Sequence, residues 1–116
     1  MKEDNIIVIK SKAFAIRIIN LYKYLTQDKQ EYVLSKQILK SGTSIGANVR
    51  EAARAQSKKD FIAKGSIALK EADETCYWLE LLHETDYIND TEFGSIYADA
   101  DELVKLLVAI IKTAQQ

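Results

Sequence analysis

The chain has 116 residues, 47% hydrophobic and 28% charged, with a net charge of −1. That is one domain, residues 1–116, long enough for a core and composed like a soluble globular protein. No apolar run approaches the roughly 20 residues of a membrane span, the short Ile6–Ile9 run is no secretory leader, and a single cysteine excludes an internal disulfide and fits a reducing cytoplasm.

No strand alternation is longer than Ile6–Ile9, which the pattern leaves unassigned. Apolar spacing and start signals then predict four helices. The first runs from about Lys12 to Thr26, with Ser11 as N-cap and Phe14, Ile18, Leu21 and Leu25 as its stripe. The second runs from about Glu31 to Ala55. It carries Gly42 and Gly46, each costing about 1 kcal/mol relative to alanine inside a helix. The reason to keep them is close approach of another backbone. The third starts after Ser57, where Ser57-Lys58-Lys59-Asp60 resembles a capping box with Asp in place of Glu or Gln, and ends near Thr85. The fourth follows Asn89-Asp90-Thr91 and ends near Ala114. The links are short and the chain has no proline. Short links between long helices favour antiparallel neighbours, so the expected fold is an all-α, up-down-up-down four-helix bundle.

The third helix has a heptad-like seam of Phe61, Gly65, Ala68, Ala72, Thr75, Leu79 and Leu82. Its small members Gly65, Ala68 and Ala72 are expected to meet Gly42 and Gly46 of the second helix more closely than the usual 8–10 Å between axes. A second stripe, Ile67, Glu71, Glu74, Trp78 and Leu81, lies beside that seam. Leu103–Ile111, with Leu106 at its centre, is apolar nearly all round. A lone bundle buries one stripe per helix. The surplus therefore predicts a homo-oligomer with Ile67, Glu71, Glu74, Trp78, Leu81 and Leu106 at its contacts.

Charge divides sharply along the chain. Residues 1–64 hold 13 Lys and Arg against 6 Asp and Glu, and residues 65–116 hold 3 against 11. Either two complementary halves pack together, or one half offers a basic surface. At 100° per residue, Lys36, Lys40, Arg50 and Arg54 fall on one side of the second helix, opposite its apolar face. Lys58 and Lys59 follow at the turn. These six cations are either a solvated face or a phosphate-binding surface for RNA or DNA. No aromatic residue interleaves them, so base stacking is not indicated.

No other constellation supports chemistry. Ser41 and Asn48 border the core face of the second helix, and with Glu71 and Glu74 they read as buried polar groups that fix register, the alternative being a carboxylate site for a ligand or metal. Glu80-Leu81-Leu82-His83 has the Glu-x-x-His spacing of di-iron bundles, but such sites need two copies and the chain has one histidine. Cys76 and His83 lie about 10 Å apart along one helix, too far for a thiolate–imidazole pair. Catalytic, metal and cofactor residues are therefore not expected.

The stretch Ser41-Gly42-Thr43-Ser44-Ile45-Gly46-Ala47-Asn48-Val49-Arg50-Glu51-Ala52 resembles the second-helix signature of bacterial four-helix-bundle proteins encoded in 23S rRNA intervening sequences. Ser57–Phe61, Ala68–Thr75 and Trp78–Leu82 are similar to that family's third helix. The resemblance covers essentially the whole chain. It implies a four-helix bundle, commonly assembled into a ring of five. It also implies likeness to the accessory bundle proteins of diversity-generating retroelements, which are basic and bind nucleic acid. This chain departs from those in being slightly acidic. The function expected is a non-enzymatic, homo-oligomeric binding or accessory protein, with nucleic-acid binding through the second-helix stripe as the alternative.

Overall fold

The computed structural model describes residues 2–116, with side chains from Ile6 onward. Four helices occupy it: α1 (Lys2–Gln27), α2 (Leu34–Ala53), α3 (Lys58–Glu84) and α4 (Asp90–Gln115). Each packs against the next and α4 closes onto α1, giving an antiparallel bundle 44 × 20 × 18 Å. No strand occurs among the described residues.

α1 begins ten residues before the expected Lys12. Ile6–Ile9 is β-branched throughout, a weak helix former on local grounds. Tertiary packing overrides that preference, because Ile7, Ser11, Phe14 and Ile18 continue one buried stripe at spacings of four, three and four. Ser11 is accordingly no N-cap. It lies buried inside the helix, and its hydroxyl donates to the Val8 carbonyl at 3.3 Å.

α2 begins at Leu34 rather than Glu31 because Glu31 serves as the cap. Its buried carboxylate accepts from the backbone N–H groups of Val33, Leu34 and Ser35 at 3.2, 2.9 and 2.7 Å. Those N–H groups have no partner within the helix, and the carboxylate also meets the positive end of its dipole. The Ser35 hydroxyl returns a bond to the Glu31 carbonyl at 2.8 Å.

The later helix starts follow their sequence signals. The Ser57 hydroxyl accepts from the Asp60 N–H at 3.0 Å. Asn89 and Glu92 form a complete capping box, at 2.8 and 3.0 Å. α3 stops in a Schellman motif: Tyr87 N–H donates to the Leu82 carbonyl and Asp86 N–H to the His83 carbonyl. Asp86 takes the left-handed conformation there, at φ 68°.

The small-residue contact differs from its expectation. α2 and α3 do pack together, but Gly42 and Gly46 face α1. A Cβ on Gly42 would lie 2.7 Å from the Ile18 side chain, and one on Gly46 would lie 3.3 Å from the Ser11 carbonyl oxygen. Gly65 faces Ile111 of α4, not α2. The α2–α3 seam is marked by a buried hydroxyl pair, Ser41 and Thr75, 2.9 Å apart. Thr75 also reaches the Glu71 carbonyl at 2.7 Å. Ala68 and Ala72 are fully buried members of the core. It is completed by Phe14, Ile18, Leu25, Ile38, Ile45, Leu79, Leu82 and Leu103.

Candidate functional site

The core face of α2 turns inward, so its opposite face must turn out. Lys36, Lys40, Arg50 and Arg54 are all exposed there, as are Lys58 and Lys59 at the start of α3. None of the six is in an ion pair among the described residues. The cations of α1 that face α4 behave differently. Lys10 pairs with Glu102 at 3.0 Å and Arg17 with Asp99 at 2.7 Å. The two halves of the chain thus neutralise one another across α1 and α4, while the α2 stripe keeps its charge. The reading of complementary halves packed together is seen at α1 and α4, and the α2 stripe is an exposed basic face.

Beside the stripe an open groove of about 650 Å³ runs between α1 and α2 and reaches the first turns of α3. Small residues, Ala15, Gly46 and Ala47, lie along it with Val8. Lys12 enters from α1, Arg50 and Arg54 from α2, and Lys64 from α3. Glu51 and Asp60 are its anions, and Glu51 is paired with Lys64 at 3.1 Å. Lys12 and Lys64 did not stand out in the sequence, because their convergence depends on three helices meeting.

The residues expected at an oligomer contact divide by burial. Ile67 is 43% exposed. Glu71, Glu74 and Leu81 are half-buried, and Trp78 and Leu106 pack against the protein's own core. Glu74 accepts a long hydrogen bond from the Trp78 indole at 3.4 Å. The larger apolar exposure lies on residues that helical periodicity alone did not single out. Ile9 is 68% exposed, Ile16 52% and Tyr77 54%. Ile9 and Ile16 are two turns apart on one side of α1, the helix whose true length was hidden by its β-branched start.

The polar residues of α3 have structural partners. The Tyr97 hydroxyl donates to Glu80 at 3.1 Å, and burial with that bond pushes its pKa up to about 12. His83 Nε2 lies 2.7 Å from Asp90 at the start of α4, and its ring stacks on Phe93 at 4.2 Å. Glu80 and His83 are thus engaged with different residues. Among the described residues no group of three His, Cys, Asp or Glu could hold a metal. Burial, then the charges of Asp73, Asp101 and Glu80, push the Cys76 thiol up to about 11, so it stays protonated and unreactive at neutral pH. Asn48 donates to the Ser44 carbonyl at 2.9 Å within its own helix.

Fold and surface together define an antiparallel helical bundle with one face of exposed cations and exposed apolar side chains on α1 and α3. The chain belongs to the 23S rRNA-intervening sequence protein family, whose model matches residues 3–109. It is similar to a protein of unknown function from the S23 ribosomal protein family of Bacteroides thetaiotaomicron, solved by crystallography. The two are 59% identical, with a TM-score of 0.93 over 95% of this chain and 98% of the other. No curated protein matches the chain. Among the described residues no helix is long and apolar enough to cross a membrane.

Proposed function

We propose that the protein is a non-enzymatic binding protein that works in the cytoplasm as a homo-oligomer. The observation that carries this reading is the unpartnered apolar side of α1, where Ile9 and Ile16 stand out with Ile6 and Ile19 beside them. Ile67 and Tyr77 form a second exposed apolar set on α3. Apolar patches of this kind mark association surfaces. A contact between two different patches is heterologous, and such contacts close into rings when the rotation allows. A ring of five is the size that family resemblance implies.

Light scattering tests this. The parent should have a mass several times 13.1 kDa, and an Ile9→Glu, Ile16→Glu variant should fall towards the single-chain mass while keeping its helical content. A parent that stays at one chain at micromolar concentration overturns the reading. An unchanged oligomer in the variant moves the contact to α3 and α4.

A second reading is favoured by a separate observation, the exposure of six cations on α2 and the α2–α3 turn that have no ion pair among the described residues. They suit the phosphates of RNA or DNA, and repetition around an oligomer would strengthen weak sites by avidity. Affinity should then fall steeply with salt, and a Lys36→Gln, Lys40→Gln, Arg50→Gln, Arg54→Gln variant should lose it without unfolding.

A further inference from the structure

We propose that the groove between α1 and α2 seats the phosphodiester backbone of a nucleic-acid strand, a placement that rests on the nucleic-acid reading above. Three observations support it. First, the groove is built by three helices that each contribute a cation: Lys12, Arg50 with Arg54, and Lys64. Glu51 is already matched by Lys64, so among the described residues Asp60 is the one anion lining the groove with Lys12, Arg50 and Arg54. These described lining residues are net positive even with Asp60 ionised. Second, its apolar lining is small, with Ala15, Gly46 and Ala47 letting a backbone come close to the cations. Gly46 already sits against the Ser11 carbonyl, so α1 and α2 are drawn together there and the valley stays shallow. Third, the positive charge continues beyond the groove.

That continuation separates a strand from a small anion. Lys40 and Lys36 extend the cations along α2, and from Lys36 to Arg54 the helix runs about 27 Å. At the duplex rise of about 3.4 Å per nucleotide of one strand, that spans at most roughly eight phosphates, and an extended single strand places fewer there. A mononucleotide or a free phosphate would use the groove and leave Lys36 and Lys40 without a role. An acidic face of a second copy would also find cations here. It would, however, leave exposed apolar side chains on the helices, Ile9 at 68% and Tyr77 at 54%, outside this groove. The groove and the exposed apolar side of α1 have different linings and adjoin at Lys12, which is three residues from Ile9 and four from Ile16.

The test uses the full-length protein in its native assembly and a fluorescently labelled single-stranded RNA of twenty nucleotides, with a DNA of the same sequence alongside. Anisotropy is read at 50 and 200 mM salt. Lys12→Glu reverses a groove cation, whereas Lys23→Glu makes the same charge change on α1 outside the groove. Lys12→Glu should weaken binding about tenfold or more and lower the salt slope by about 0.7 for the lost contact. Lys23→Glu should change affinity by less than about threefold, since an exposed charge away from the strand is largely screened. Asp60→Asn removes the opposing anion and should tighten binding several-fold.

Equal effects of Lys12→Glu and Lys23→Glu, or no gain from Asp60→Asn, overturn the groove. The α2 stripe then still stands if its quadruple glutamine variant loses affinity. A parent that binds neither RNA nor DNA at 50 mM salt overturns both. Free inorganic phosphate that competes at a concentration comparable to nucleotide phosphate would assign the groove to a small anion instead. Loss of the oligomer in Lys12→Glu, read by light scattering, would assign it to a second copy of the chain.

Discussion

α1 meets its two neighbours by opposite means. Against α2 the contact is steric: Gly42 leaves no room between its backbone and the Ile18 side chain, and Gly46 rests on the Ser11 carbonyl. Against α4 the contact is the loosest of the four seams, and Arg17 stands between two grooves of about 530 and 250 Å³. What separates the two seams is the closeness of their contacts, since the α1–α2 seam has its own open groove at Gly46. Ion pairs from Lys10 and Arg17 bridge the α1–α4 seam through side chains that stay about half exposed. The two seams fail differently when altered. A close-packed seam cannot absorb one added carbon without moving side chains. An exposed ion pair can be removed and replaced by water at small cost.

The largest break in this comparison is at Gly42. Even a Cβ would lie 2.7 and 2.8 Å from two carbons of Ile18, and both residues are buried. Gly42→Leu should therefore cost about 3 kcal/mol, near the upper end for overpacking, and lower Tm by roughly 10 °C. Gly42→Ala isolates the contact. It should destabilise the parent but cost little in an Ile18→Ala background, where the opposing carbons are gone. The double-mutant cycle in urea measures this. An alanine penalty that is the same in both backgrounds would remove the close contact from the account.

Gly65 and Gly94 sharpen the comparison from the other side. A Cβ on Gly65 would sit 3.4 Å from Ile111, an ordinary contact, and one on Gly94 meets nothing within 4 Å. Both residues lie inside helices, where alanine is favoured over glycine by about 1 kcal/mol. Gly65→Ala and Gly94→Ala should each raise stability by up to about that amount, read as a higher urea midpoint with an unchanged slope. A loss at Gly65 would mean that the α3–α4 seam is packed as tightly as α1–α2.

These glycines also show what the sequence carries and where it stops. The helix cost of Gly42 and Gly46 announced close packing, and both stand in close contact with α1, whereas Gly65 and Gly94 do not share it. The neighbour was misassigned because the buried arc of α2 is wide enough for two helices. Ser41 and Gly42 are 100° apart on that arc. Ser41 meets Thr75 of α3, whereas Gly42 meets Ile18 of α1. Periodicity fixes the buried face of a helix, but the handedness of the bundle decides which neighbour each edge meets. Capping chemistry is legible where it is local, at Ser57 and, as a start signal without its Glu92 partner, at Asn89. Glu31, expected as the first residue of the second helix, acts from outside α2. The exposed cations of α2 followed from its periodicity alone. Lys12 and Lys64 joined them only through the meeting of three helices.

The smallest effect is expected at the loose seam. Arg17 and Asp99 stand 2.7 Å apart, and their side chains are 41% and 46% exposed. Arg17 also reaches Ser95, through its hydroxyl at 3.1 Å and its carbonyl at 3.4 Å. The geometry is close, but solvent screens the charges, and holding two long side chains costs entropy. A cycle of Arg17→Ala, Asp99→Ala and the double variant should give a coupling of about 0.2–1 kcal/mol, shrinking between 50 mM and 1 M salt. Arg17→Ala alone should cost somewhat more than the coupling, because it also removes the Ser95 bonds and the apolar stem between the two grooves. A coupling several times larger, and insensitive to salt, would mean that α4 is clamped onto α1 by a desolvated pair. The contrast between the two sides of α1 would then disappear.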